Sequence, residues 1–409
     1  MKIKTIGQKV IVFVVSFVIV FLFCAKASAT TVSPTSVSAT LRQGESAQPQ
    51  PLNTGVTASS VPLDVLFILD LSSSLVEELD TCKTEATNMI NDIRSSYSDS
   101  KFGAASFMDY PGTFTYGDPG DPDYYTDEYG RASSGDYAWN LDQDLTTDTS
   151  GVATTINGLT MGYGGDISQD YTRVLYESQF VSWRTSAIKV VVLMGDAPVH
   201  DLDFYAPTSY GGDPGRDGIA ETVDDLDFQT VVGQLKTADI KVVTINSYTG
   251  TPDPEATTGF QYMSDQTGGL YRGLGDVDDI PAAIVGAVNT TAKFSSITLR
   301  AASGYENWLS FNPTSYANVG DGETKTFDIT LKAPTGTAPG TYNFDINVIG
   351  TGSGETNIGI VPATVVVSPL VTLPETGSPI SHQIILLGTL MAVITLPSAL
   401  YCFLRVRGR

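Results

Sequence analysis

Leu63-Asp64-Val65-Leu66-Phe67-Ile68-Leu69-Asp70-Leu71-Ser72-Ser73-Ser74 is the stretch on which the fold turns. Its first seven residues are almost continuously apolar, which fits a strand covered on both faces and therefore a parallel sheet. The acid and serines that follow then stand at the strand's carboxyl end, where open parallel sheets bind ligands. Two further runs repeat the pattern, Ile188-Lys-Val-Val-Val-Leu-Met194 and Ile240-Lys-Val-Val-Thr-Ile245. Helical spacing between the runs predicts helices over Val76–Tyr97, Tyr171–Ser182, Asp227–Ala238 and Asp276–Asn289. Strands alternating with such crossovers imply an α/β domain over 61–291 built on a doubly wound, mainly parallel sheet.

The flanks have a different texture. From Phe294 to Val367 apolar and polar residues alternate, as in Thr326-Phe-Asp-Ile-Thr-Leu331, and Gly and Pro recur at short intervals. That pattern predicts an immunoglobulin-like β-sandwich over 292–368. Residues 30–60 share the texture, and Pro34-Thr-Ser-Val37 echoes Pro313-Thr-Ser-Tyr316. Two arrangements follow: a small stalk segment, or the first strands of the same sandwich with the α/β domain inserted into it. The second is preferred, because one or two isolated strands are unstable alone.

The ends of the chain speak to its location. Lys2, Lys4 and Lys9 precede the apolar run Val10–Phe23, and Ala27-Ser-Ala29 offers a small-residue cleavage site, so 1–29 reads as a signal peptide. At the other end, Leu373-Pro374-Glu375-Thr376-Gly377 precedes an apolar stretch over 384–404 and then Arg405, Arg407 and Arg409. That stretch matches the roughly 20 residues a membrane-spanning helix needs, with its basic tail inside. Together, 369–409 resemble the LPxTG sorting signal of Gram-positive surface proteins. The resemblance implies that a sortase cuts between Thr376 and Gly377 and joins the chain to peptidoglycan, facing the exterior. Read without the pentapeptide, the same tail describes a plain single-pass membrane protein.

Composition narrows the partners. With 45 acidic against 23 basic residues, the formal charge is −22, which argues against nucleic acid, whose phosphates need clustered Lys and Arg. Carboxylates suit hard cations instead. Of the three cysteines, Cys24 and Cys402 fall in the terminal segments, leaving Cys82, at helical spacing behind a buried strand and read as a core residue. Neither HExxH nor a nucleophile elbow occurs, and side-by-side acids on a helix point in different directions, so no enzyme is expected.

The candidate chemistry is coordination. Asp70, Ser72 and Ser74 place one carboxylate and two hydroxyls after a buried strand, a set that suits Mg²⁺ (or Mn²⁺) with positions left for an outside ligand. Asp196, in Met194-Gly-Asp-Ala-Pro198, ends a second buried strand and would approach the same ion. A further ligand comes from Gly164-Gly-Asp166-Ile-Ser-Gln169-Asp170, with Asp166 and Asp170 both open as candidates. This D-x-S-x-S arrangement resembles the metal-ion-dependent adhesion site of von Willebrand factor A domains.

Several matches in order bring the chain nearest the integrin β I-like domain: Glu77-Glu78, Phe107-Met108-Asp109, Gly165-Asp166, Trp183-Arg184, and Asp196-Ala197 with His200. The resemblance implies two flanking sites that would take Ca²⁺, one at Glu77 and Glu78 and a second at Asp109 with Asp166. The sequence departs from that family in three respects. It has Glu at 77 and 78 where the family has Asp, it lacks the family's cysteines, and it has Gln169 near the acid that bridges two ions. His200 itself reads as a loop residue, and Tyr110–Trp139 as a long Tyr-rich recognition loop. What the resemblance implies overall is an adhesin that binds an extracellular protein or glycan through the divalent cation. The alternative is a structural wall or pilus subunit without metal-dependent ligand.

Overall fold

The computed structural model describes residues 31–57, 61–120, 124–206, 208–248, 252–352 and 354–369. The expected signal peptide at 1–29, the pentapeptide at 373–377 and the span at 384–404 lie outside the described residues. Among those described, no helix is long and apolar enough to cross a membrane.

At the centre is a six-stranded sheet in the order Tyr271–Gly273, Ile240–Asn246, Ile188–Gly195, Leu63–Asp70, Ser100–Phe107 and Asn140–Thr146. Every neighbouring pair is parallel except the last, where Asn140–Thr146 runs antiparallel along the edge. All eight residues of Leu63–Asp70 are buried, as its unbroken apolar run requires. The strand that follows it in sequence pairs on one side and a later one on the other, so the strand order reverses at its carboxyl end.

Among the described residues six helices cover the sheet: α1 (Val76–Ser96), α2 (Thr149–Gly158), α3 (Tyr171–Ser178), α4 (Phe228–Thr237), α5 (Pro254–Thr267) and α6 (Ile280–Thr291). Alternate strand residues divide between the two faces. Val65, Phe67 and Leu69 share a core with Leu79, Ile90, Val152, Ile284 and Val288 of α1, α2 and α6. Leu66 and Ile68 pack with Val174, Val231 and Phe260 of α3, α4 and α5 on the other side. Cys82 sits in the first core, where burial pushes its thiol up to about 12.

Two helices escaped the sequence reading, α2 and α5. Both begin with an aspartate cap, Asp148 on the Gly151 amide and Asp253 on those of Glu255 and Ala256. Helix α3 ends at Ser178, four residues earlier than its spacing suggested. The Tyr-rich stretch read as a loop contains a hairpin, Gly112–Tyr116 against Tyr125–Gly130.

The flanking strands form a four-stranded and a five-stranded sheet. Gln50–Gly55 pairs antiparallel with Thr324–Leu331, and Val37–Arg42 pairs parallel with Glu355–Ser368. Strands from before and after the α/β part are therefore neighbours, and the α/β part leaves and re-enters between them. Tyr316 and Phe327, from different sheets, meet edge to face at 5.1 Å. The echoed Pro34 and Pro313 both follow cis peptide bonds.

Two features hold the upper face in shape. The loop at 162–165 crosses close to the hairpin: Gly164 has a left-handed φ of 64°, and a Cβ on Gly165 would drive into the Glu128 carbonyl oxygen. Asp136 accepts from the amides of Tyr163 (2.8 Å), Gly164 (3.2 Å) and Arg131 (2.7 Å), tying this loop to the hairpin's exit. At the opposite end, the buried Asp64 accepts from Arg184 Nε and from the Arg184 amide, each at 2.8 Å. Burial raises the Asp64 pKa, and the Arg184 guanidinium opposes that rise.

Arg184→Ala removes the guanidinium from the buried Asp64 and leaves it the backbone amide alone, and an expected loss of about 3 kcal/mol should appear in the denaturant midpoint. A loss below about 1 kcal/mol would show that water compensates the acid. Gly165→Ala is expected to cost about 1–3 kcal/mol by the same measurement, because the neighbour it meets is backbone.

Candidate functional site

Strand Leu63–Asp70 ends in a tight turn pinned through three successive backbone amides. The Leu71 amide donates to the Phe107 carbonyl at 2.8 Å, and the Ser73 amide to the Tyr163 carbonyl at 3.0 Å. The Ser72 amide donates back to Asp70 Oδ1 at 2.8 Å, folding the chain over its own carboxylate. The Tyr171 hydroxyl, from the first turn of α3, donates to Asp70 Oδ2 at 3.2 Å. Asp70 is fully buried, Ser72 nearly so, and Ser74 exposed, so the three step upward from core to surface.

Above them opens a cleft of about 630 Å³, walled by Tyr163, Ile167, Gln169, Pro198, Tyr248 and Pro254 among others. On its floor Ser72 Oγ lies 3.2 Å from Ser74 Oγ, and the Ser74 hydroxyl donates to Asp196 Oδ1 at 3.3 Å. Ile167 and Tyr248 at the rim are exposed. Oxygens at the corners of an octahedral Mg²⁺ shell, with bonds of about 2.0–2.1 Å, stand about 3 Å apart. The observed spacings fit that shell, and Ser72, Ser74 and Asp196 are the residues that could hold the ion. Asp70 lies beneath, both oxygens already accepting hydrogen bonds, which suits it to orienting the serines.

The electrostatics point the same way. Burial and then the Asp196 charge hold the Asp70 pKa well above the usual carboxylate range. Burial also raises Asp196, against the Ser74 hydroxyl that lowers it. Glu78 is raised by burial, then by Asp196 and Glu77. Among the described residues neither Asp70 nor Asp196 forms an ion pair with a basic side chain. Converging acids without a cationic partner are costly, and a divalent ion removes that cost.

The other expected ligands lie elsewhere. Glu77 is exposed and Glu78 buried on the first turn of α1, and neither lines the cleft. Asp166 reaches the cleft wall, but its carboxylate turns inward, where Tyr125 donates to Oδ2 at 2.5 Å. Asp170 caps α3, accepting from the Arg173 amide at 3.0 Å, and is fully buried. Gln169 of that loop lines the cleft, and its Oε1 is buried without a hydrogen-bond partner.

Asp109 joins Asp166 in a cluster around His200, whose ring is fully buried in its loop. His200 Nε2 lies 3.1 Å from Asp109 Oδ2 and 3.6 Å from Asp166 Oδ1. Its Nδ1 contacts the Tyr210 carbonyl, and Tyr129 stacks on the ring at 3.7 Å. Burial disfavours a charged His200, but Asp109 and Asp166 outweigh it and hold its pKa well above the usual imidazole value. A Ca²⁺ ion does not fit here, since it takes six to eight oxygens and an imidazole nitrogen faces the two carboxylates. Tyr171, Asp136 and Tyr210 were missed from sequence, because hydroxyls, caps and carbonyls that act across the fold leave no local spacing to read.

No protein-family model matches the chain, and no curated protein matches it. Among solved structures, the von Willebrand factor type A protein from Catenulispora acidiphila is similar with a TM-score of 0.38 and 12% identity, covering 83% of this chain and 73% of that one. The pilus adhesin SpaC from Lactobacillus rhamnosus GG, in its open conformation, gives a TM-score of 0.39 and 11% identity over 86% of this chain. This chain spans 50% of that adhesin's length. The ArnB paralogue VWA2 from Sulfolobus acidocaldarius gives 0.32 and 12%, with 83% and 76% covered. The structural neighbours are thus von Willebrand factor A domains, one pilus adhesin among them, at low sequence identity.

Proposed function

We propose that the chain is a surface adhesin that captures a carboxylate-bearing ligand, protein or glycan, at a divalent cation held by Ser72, Ser74 and Asp196 above Asp70. One observation carries the reading: three side-chain oxygens spaced 3.2 and 3.3 Å on the floor of an open cleft. When bound, Mg²⁺ or Mn²⁺ supplies a positive centre whose remaining position a ligand carboxylate can fill. Only one of the three direct ligands is an acid, so little of the ion's charge is neutralised by the protein. Asp70 and Tyr171 hold the serine turn in place, and Ile167 and Tyr248 offer apolar surface beside the acid. The sorting-signal resemblance at 369–409 adds the second half of the proposal, attachment to the wall through Thr376 by sortase.

Metal use is tested by thermal unfolding. At 100 times its dissociation constant, Mg²⁺ or Mn²⁺ should add about 2.7 kcal/mol to the wild type. Asp196→Ala should abolish that gain with the fold retained by circular dichroism. Adhesion is tested on immobilised extracellular-matrix proteins and acidic glycans, where EDTA and Asp196→Ala should each lower binding at least about tenfold, or about 1.4 kcal/mol. Binding that survives both treatments contradicts the proposal.

A further inference from the structure

We propose that the joint between the α/β part and the sandwich holds a phosphate-binding pocket, with Lys241, Lys293 and Thr291 as its donors. A cavity of about 470 Å³ opens there, a size typical of small-ligand sites. Its walls come from both bodies. The α/β part gives the start of strand Ile240–Asn246 and the ends of α5 and α6, and the sandwich gives Ser295 and Asn318. The pocket stands at the amino end of that strand, shares no residue with the cleft, and owes nothing to the cation proposed there.

Charge sets this cavity apart from the rest of the chain. The sequence carries 45 acidic against 23 basic residues, yet two ammonium groups and a single carboxylate, Asp239, line the pocket. Lys241 Nζ donates to the Lys293 carbonyl at 3.2 Å, which uses one of its three protons. The Lys293 stem runs so close over Gly320 that a Cβ there would stand 2.8 Å from Cγ, and the contact fixes the stem's course. Among the described residues neither ammonium has a carboxylate within ion-pair distance. Glu323, the sandwich acid that senses Lys293, is committed to Lys325 at 2.7 Å.

The hydroxyls supply an independent sign. Four hydroxyl side chains line the cavity, and three are already committed. Thr267 accepts from the Val242 amide at 2.9 Å and donates to the Met263 carbonyl at 2.7 Å. Thr290 donates to the Gly286 carbonyl at 2.8 Å, and Ser295 to the Thr351 carbonyl at 2.9 Å. Thr291 is only 5% exposed, and its Oγ1 has no partner. A buried hydroxyl left in that state is costly, and an acceptor oxygen arriving beside it removes the cost.

Two ammonium groups and a hydroxyl are three donors, which a tetrahedral oxyanion can meet with three oxygens and a carboxylate with only two. Lysine binds phosphate as a point charge, and a phosphate ester's charge of about −1.5 to −2 at neutral pH matches two amines. The cavity exceeds what the ion alone fills, so it has room for a small alcohol esterified to it. Because the walls belong to both bodies, bound phosphate ties the end of α6 to the sandwich.

Metal-stripped protein, in which no cation at the cleft can take up the anion, would be titrated by calorimetry at fixed ionic strength with inorganic phosphate, glycerol phosphate and acetate. One equivalent of inorganic phosphate is expected to bind, with acetate at least about tenfold weaker. Lys241→Gln and Lys293→Gln should each weaken phosphate at least about tenfold, and Thr291→Val about fivefold. Thr291→Val removes a hydroxyl that has no partner, so its unfolding midpoint without phosphate should stay level or rise, which separates lost affinity from misfolding. Glycerol phosphate bound as tightly as inorganic phosphate, or tighter, assigns the pocket to phosphate esters, and weaker binding assigns it to the free ion. Absence of phosphate binding, affinity unchanged in all three variants, or acetate bound as well as phosphate overturns the site.

Discussion

Burial of Asp70 at the end of the central strand is the constraint on which the upper face depends. A carboxylate in that position is costly unless its oxygens are satisfied. Two groups do so: the Ser72 amide, which forces the tight turn, and the Tyr171 hydroxyl, which fixes the start of α3. The turn lifts the Ser72 and Ser74 hydroxyls to one spot, and the neighbouring strand Ile188–Gly195 delivers Asp196 to the same place. Strand order reverses there, so loops diverge on either side and leave the cleft open. Fold and site are two consequences of one strand ending in an acid.

The same logic separates the two clusters of acids. Around Ser72 and Ser74 the donors are oxygens, the surface is open, and the rim carries exposed Ile167 and Tyr248. Around His200 the donors include nitrogen, the ring is covered by Tyr129, and the carboxylates are locked from outside by Tyr125 and the Tyr110 amide. Exposure suits exchange of an outside ligand, and enclosure suits holding the loops 109–110, 166–170 and 196–200 together. Gln169, hydrogen-bonded through its backbone to Pro198 and His200, links the two.

Much of this was legible from sequence where local pattern decides. The three buried runs became the sheet's central strands, because an unbroken apolar run has few other uses in a soluble domain. The echo between Pro34-Thr-Ser and Pro313-Thr-Ser reflected strands of a shared two-sheet core. Helices α2 and α5 were harder, because Thr, Ser and Gly punctuate their apolar positions, while tertiary packing buries Val152, Ile156, Phe260 and Met263. The hairpin at 112–130 was hidden because its pairing serves Phe114, Tyr116 and Tyr129, a small aromatic core that no periodicity announces. Among candidate ligands, Ser72, Ser74 and Asp196 meet on the cleft floor, whereas Asp166 and Asp170 could not be separated by spacing. Their directions are set by Tyr125 and Arg173, partners distant in sequence.

The central claim is that Ser72, Ser74 and Asp196 hold a divalent cation that leaves one face to the cleft. Crystals grown in Mn²⁺ allow the most direct measurement, an anomalous difference map collected near the manganese edge. The expected result is a peak bonded to Ser72 Oγ, Ser74 Oγ and an Asp196 oxygen, with water or a carboxylate on the cleft side. A map with no peak at that position, in protein whose Mn²⁺ content is confirmed, would contradict the claim and leave the serines as a turn that only caps the strand.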